Sequence, residues 1–113
     1  MVDDPKHFVA VGFEWDDGNS EKNWIRHGVS RQESESVFFN RPLIVEDDEH
    51  HSDTELRFYA LGRTDADRLL FVVYTLRGEE PRVRVISARE MMPHERREYE
   101  HVRAQELGRD SEV

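Results

Sequence analysis

The stretch Leu69-Leu70-Phe71-Val72-Val73-Tyr74-Thr75-Leu76 decides the fold. It is a near-continuous apolar run, strand-like in length and far too short to span a bilayer. Such a run predicts a central strand covered on both faces. The segments on either side of it alternate instead. Over residues 55–62, Leu56, Phe58 and Ala60 face one way and Glu55, Arg57 and Tyr59 the other. After the turn Arg77-Gly78-Glu79-Glu80-Pro81, residues 82–88 set Val83 and Val85 against Arg82 and Arg84. These strands form a small antiparallel sheet.

Working outward, residues 43–46 read as a short strand, followed by an acidic loop over 47–53. Upstream, Ser30-Arg31-Gln32-Glu33 is a capping box that opens a helix running to about Phe39, ended by Asn40-Arg41-Pro42. Before it, Asp16-Asp17-Gly18-Asn19-Ser20 supplies turn and N-cap residues for a short helix through Trp24 and Ile25. Gly28 is its left-handed terminator, with Val29 as the accompanying apolar contact. Residues 9–15 alternate, with Val9, Val11, Phe13 and Trp15 on one face, and predict a first strand. Pro93 suits the first turn of a last helix over about 94–107. The order β, α, α, antiparallel strands, α gives an α+β fold with its helices segregated from the sheet. A length of 113 residues predicts a single domain over 1–113, with a core over about 8–107 and flexible termini.

Composition narrows the function classes. The chain has no cysteine, which removes disulfides, thiolate zinc sites and cysteine nucleophiles. Its start, Met1-Val2-Asp3-Asp4-Pro5, has no basic and apolar leader, so a soluble cytoplasmic protein is expected. The formal charge of −9 argues at first against a polyanionic partner. The charge is uneven, however. Residues 1–56 carry 14 acids and 5 bases, whereas residues 57–113 carry 11 of each. All 11 bases of the second half are arginine, the side chain shaped for bidentate phosphate contact.

Five motifs in order are recognisable. They are Phe13-Glu14-Trp15-Asp16; Asn23 with Arg26-His27-Gly28-Val29-Ser30; His51-Ser52 with Glu55, Arg57-Phe58 and Gly62; Arg82 with Arg84-Val85-Ile86-Ser87-Ala88-Arg89; and Glu95-Arg96 with Tyr99-Glu100. In this order and spacing, over about residues 11–100, the chain resembles the BrnT family, toxins of BrnT/BrnA type II toxin–antitoxin pairs. The resemblance implies a compact RelE-like fold with two helices in its N-terminal half and one at its C-terminus. It also implies a ribonuclease that blocks translation and is neutralised by a ribbon-helix-helix antitoxin, in a complex of two toxins and two antitoxins. DNA would be met only through the antitoxin, and no membrane is involved.

The residues can be weighed without the family. Metal-free RNA cleavage uses the substrate's own 2′-OH as nucleophile. The enzyme must then supply a base, an acid, and cations for the developing negative charge. No cofactor or metal is needed. If the strands carrying Arg57 and Arg82/Arg84 lie on one sheet surface, their guanidinium groups converge beside an aromatic platform suited to single-stranded RNA. Ordinary solvation of a polar sheet face is the simpler account of Arg82, and Glu55 is placed to pair with Arg57. Arg89, at the end of its strand, either binds phosphate or tethers Glu90, Glu95 or a carbonyl. His27 carries an imidazole suited to acid–base work, but it also suits a helix C-terminus. His51, with His50, Glu49 and Asp53, belongs either to a solvated loop or, by the family pattern, near the site. His94-Glu95-Arg96-Arg97-Glu98 misses the zincin motif, because Glu98 stands where the second histidine is required. Tyr99 faces the core with its hydroxyl satisfied, or serves as acid or base, as the resemblance permits.

The resulting expectation places Arg57, Arg89, His27 and Tyr99 in catalysis and Arg82, Arg84, Glu55 and His51 in RNA binding, with no metal. The competing expectation is a toxin-like binding module of weak or no activity, acting in an antitoxin–DNA complex.

Overall fold

A computed structural model describes residues 10–48 and 55–111 of the chain. Four strands form one sheet in the order β1-β2-β3-β4, with every pair antiparallel: β1 Ile44–Asp47, β2 Arg57–Arg63, β3 Leu69–Arg77 and β4 Arg82–Glu90. Three helices accompany it: α1 Asp17–His27, α2 Arg31–Ser36, which continues as a 3-10 turn over Val37–Phe39, and α3 Pro93–Ser111. The α+β architecture read from the sequence is therefore the one observed.

The helix starts follow from their caps. Asp16 accepts from the Asn19 backbone N–H at 3.3 Å, while the Asn19 side chain accepts from the Asp16 N–H at 2.8 Å. This reciprocal pair satisfies donors that the first turn of α1 leaves without helical partners. Ser30 and Glu33 make the same box for α2, at 3.1 and 3.0 Å. Gly28 ends α1 with φ +64°, the left-handed region that favours glycine. Its N–H returns to the Trp24 carbonyl at 2.9 Å.

The predicted first strand, whose Val9 lies outside the described residues, pairs with the sheet only briefly. Among the described residues, 11–14 run parallel to the start of β4. Val11 donates to Pro81, Val83 to Gly12 and Glu14 to Val83, each at 2.8 Å. Phe13 and Trp15 pack on the core, whereas Val11 is exposed. The capped turn at Asp16 stops the pairing by starting α1. From there α1 covers the edge of β4 with two buried asparagines. Asn19 donates to the Val85 carbonyl at 3.0 Å and Asn23 accepts from the Ala88 N–H at 3.0 Å. An edge strand that would expose free N–H and C=O groups is thereby closed.

The two faces of the sheet differ. On one, Phe58, Ala60, Leu70, Val72, Tyr74, Val83, Val85 and Ala88 bury against Val29 and Val37. The aromatic rings there meet edge to face, Phe38 with Tyr74 at 5.1 Å and Phe13 with Phe38 at 5.6 Å. Gly62 permits the 3-10 turn to approach, since a Cβ on it would stand 3.0 Å from the Val37 Cβ. On the opposite face α3 covers only one end, where Tyr99 packs with Leu61, Leu69 and Met91. Beyond that patch Phe71 and Val73 stay half-buried. The expected double coverage of β3 thus holds near Leu69 and stops short of the middle of the strand.

Candidate functional site

The half-open face is laid out by strand register. Arg57 pairs with Thr75 and Thr75 with Arg84, so these three residues form one row across β2, β3 and β4. The next row is Tyr59, Val73 and Ser87, and the third is Leu61, Phe71 and Arg89. With strands ~4.8 Å apart, the Arg57 and Arg84 backbones lie about 10 Å from each other across Thr75. Thr75 itself is buried and donates to the Leu56 carbonyl at 2.6 Å, which fixes the approach to β2.

Arg84 and Arg89 share this face only because of a bulge. Strict alternation over five positions would place them on opposite sides. The register shifts between Val73 and Tyr74, which pair with Ser87 and Val85, so that Ile86 is the extra residue. A sequence signal for it exists: the buried apolar positions pass from odd numbers, Val83 and Val85, to even, Ala88.

Arg84 is held by two carboxylates. Its Nη1 lies 3.1 Å from Glu14 Oε1 and 3.0 Å from Asp16 Oδ2, and its Nη2 lies 3.2 Å from Asp16 Oδ1. The hydrogen bond from Arg84 holds the Asp16 carboxyl below its ordinary range. Arg77 approaches Glu14 and Glu55, each at 3.7 Å, which joins Glu55 to the same network. Arg82 is exposed beside the 11–14 segment and forms no ion pair among the described residues. Arg57 is half-buried at the start of β2, and its carbonyl accepts from the Asp48 N–H at 2.8 Å.

Arg89 is fixed differently. Its guanidinium donates to Glu95 through both forks, at 2.8 and 2.9 Å, and its Cζ lies 4.2 Å from the Phe71 ring centroid. Glu95 also accepts from the Met92 N–H at 2.8 Å at the start of α3. Burial alone would raise the Glu95 carboxyl, but the Arg89 and Met92 hydrogen bonds outweigh it and bring it below the usual range. On the far side of Phe71 the Tyr59 ring stacks at 5.2 Å. A guanidinium and two rings therefore run diagonally over three strands. Alternation places Tyr59 on the Arg57 face of its strand, and pairing across strands makes it the end of this stack.

The other expected residues lie elsewhere. Tyr99 is fully buried, donates its hydroxyl to the Pro42 carbonyl at 2.8 Å, and is pushed by burial up to about 12. His27 ends α1 at the opposite end of β4 from Arg84, with its side chain exposed and its carbonyl 3.5 Å from Arg68 Nη2. Arg68 ties that junction together through Gly28, Glu33 and Glu90, at 2.9, 3.0 and 3.0 Å. His51 lies outside the described residues. Among the described residues no three His, Asp or Glu side chains gather to hold a metal ion, and no helix is long and apolar enough to cross a membrane.

Residues 15–95 match BrnT, the ribonuclease toxin of type II toxin–antitoxin systems. The chain belongs to the BrnT family. The matched span holds both ends of the Arg57–Thr75–Arg84 row, the Tyr59–Phe71–Arg89 stack and Glu95, while Glu14 lies one residue before it. Membership makes the chain a ribonuclease toxin with an antitoxin partner and an RNA substrate. No curated protein matches the chain.

Proposed function

We propose that this BrnT-family toxin cleaves single-stranded RNA internally on the half-open sheet face, by metal-independent attack of the 2′-oxygen on the adjacent phosphorus. The row Arg57–Thr75–Arg84 carries the reading, because it places two guanidinium-bearing residues on either side of one small buried residue. A phosphodiester over Thr75 would meet both arginines, and the charge that builds on its oxygens would be matched by them. A base beside that phosphate stacks on the outer face of the Tyr59 ring, which Phe71 and Arg89 back from the neighbouring strands. Attack forms the 2′-oxygen–phosphorus bond and breaks the bond to the 5′-oxygen. Glu55, in the Arg77 network, takes the 2′-OH proton, and the leaving 5′-oxygen gains one from water. The products are a 2′,3′-cyclic phosphate and a 5′-hydroxyl. Arg82 extends the cationic edge toward the next phosphate. Tyr99 and His27 serve the fold, as core anchor and helix end.

In the cell this activity inhibits translation in the cytoplasm. A ribbon-helix-helix antitoxin restrains it in a 2:2 complex and provides the contact with DNA. A second reading has one observation in its favour. Arg84 and Arg89 are both engaged by carboxylates, which suits a weak or inactive binding module.

Purified protein incubated with single-stranded RNA, with and without EDTA, tests these readings together. Cleavage in both arms, yielding cyclic-phosphate ends, is expected. Binding without cleavage favours the module, and loss of cleavage in EDTA overturns metal independence. In cells, Arg57→Ala and Arg89→Ala should relieve growth arrest while the protein stays folded; full toxicity in both would remove the site.

A further inference from the structure

The two arginine–carboxylate clusters on the open face are built for different ends. Glu95, bonded to Arg89, is itself buried, with a side chain 9% exposed, and is also tied to the Met92 backbone. Withdrawing it would strand a backbone donor and expose the start of α3. At Arg84 the burial is reversed. The guanidinium is the covered partner, 17% exposed, while Asp16 is 60% and Glu14 38% exposed. A largely covered cation met on its open side by exposed carboxylates is a seat already filled by an anion. Both carboxylates sit on the solvent side; Glu14 can swing away without uncovering core, and Asp16, which also caps α1 through the Asn19 N–H, can release Arg84 while keeping that bond. Their oxygens surround the fork at 3.0–3.2 Å, the separation at which phosphate oxygens bind arginine.

We infer that Glu14 and Asp16 are affinity-determining residues that occupy the Arg84 fork in place of an RNA phosphodiester, and that the substrate's phosphate must displace them. This inference rests on Arg84 being a phosphate seat in the reading above. Two consequences follow. RNA affinity is set by an exchange of one anion for another, so it is weaker than the number of arginines on the face suggests. The same exchange holds the guanidinium in its binding geometry when no RNA is present, which keeps the fork organised and the face neutral. Selectivity also follows, because a ligand offering one isolated phosphate gains less from the exchange than a strand that also engages Arg57 and the Tyr59–Phe71 stack.

The test is binding of a fluorescein-labelled, fully 2′-O-methylated RNA oligonucleotide, which presents phosphates and bases but no nucleophile. Asp16→Asn keeps the side-chain oxygen that caps α1, and Glu14→Gln keeps side-chain size. Each should tighten binding about threefold, and the pair about tenfold at low salt, shrinking as screening rises. Glu21→Gln on exposed α1 removes one charge away from Arg84 and should change affinity by less than twofold. In an Arg84→Ala background the Asp16 and Glu14 variants should have no effect. Unchanged or weaker binding in the two variants, with Arg84→Ala still weakening the parent protein, would overturn the inference and make the carboxylates positioning groups. If Arg84→Ala binds as well as the parent, the phosphate seat itself fails and the inference falls with it. Circular dichroism melts of every variant confirm that folded proteins are compared.

Discussion

The same three strands present two unlike faces. Toward α1 and α2 the alternate residues Phe58, Ala60, Val72, Tyr74, Val83 and Val85 are buried under aromatic and β-branched side chains. On the reverse, Arg57, Tyr59, Phe71, Val73, Arg84 and Arg89 are only partly covered, because α3 reaches no further than the patch around Tyr99. One face is complete and gains its energy from excluding water. The other is left apolar in its middle and cationic at its ends, and its Arg84 and Arg89 are met by carboxylates of the protein. A sheet can thus divide stability from function simply by residue parity, provided that one face is closed first.

That division can be broken most severely from the closed side. Tyr74→Ala removes the ring that meets Phe38 and Phe58 and should cost about 3–5 kcal/mol, read from urea denaturation. Activity should then be lost only in proportion to unfolding. Arg57→Ala attacks the open side and should lower RNA cleavage about 100-fold, in the range of losing one transition-state donor. Its denaturation midpoint should stay close to the parent's. A midpoint that falls as far as that of Tyr74→Ala would erase the distinction between the faces.

A third variant tests the boundary between them. Asn23→Ala leaves the Ala88 N–H without its acceptor in a buried place and should cost ~2 kcal/mol by the same denaturation measurement. The smallest expected effect is that of Glu95→Gln, about 1 kcal/mol at neutral pH, with a pH signature. The Glu95 carboxyl is held below its ordinary value near 4.5. Its contribution is therefore fully present above that value and fades as pH falls through the lower, folded one. Thermal melts from pH 7 to 3 should show a shallower acid loss in Glu95→Gln than in the parent. Identical acid profiles would show that the Arg89–Glu95 pair adds no pH-dependent stability.

The local part of this structure was legible in the sequence. The Ser30–Glu33 box, the Gly28 terminator, the apolar run at 69–76 and the alternation at 55–62 each depend on neighbours within a few residues, and each element formed near its expected limits. What depends on pairing at long range was not legible. Periodicity places Arg57 and Arg84 on faces of their own strands, but only register shows that Thr75 lies between them. The ion pair from Glu14 to Arg84 spans 70 positions, and nothing local marks it. Tyr99 reads as core from its place on the last helix, but that its hydroxyl meets Pro42, 57 positions away, is visible only in the fold. His27 suits either acid–base work or a helix end by sequence, and its position relative to the sheet follows from where Asn19 and Asn23 meet β4.

The bulge at Ile86 makes the spacing of the two arginines a matter of arithmetic. Arg84 and Arg89 are an odd number of positions apart, and a pleated strand returns a side chain to the same side only at even steps. The one extra residue is absorbed by the bulge, so that five positions count as four steps. Loss of that residue would leave four regular steps and keep both guanidinium groups on one face, with the bulge gone. Loss of a residue from a strand that kept its bulge would instead turn one of them into the aromatic core.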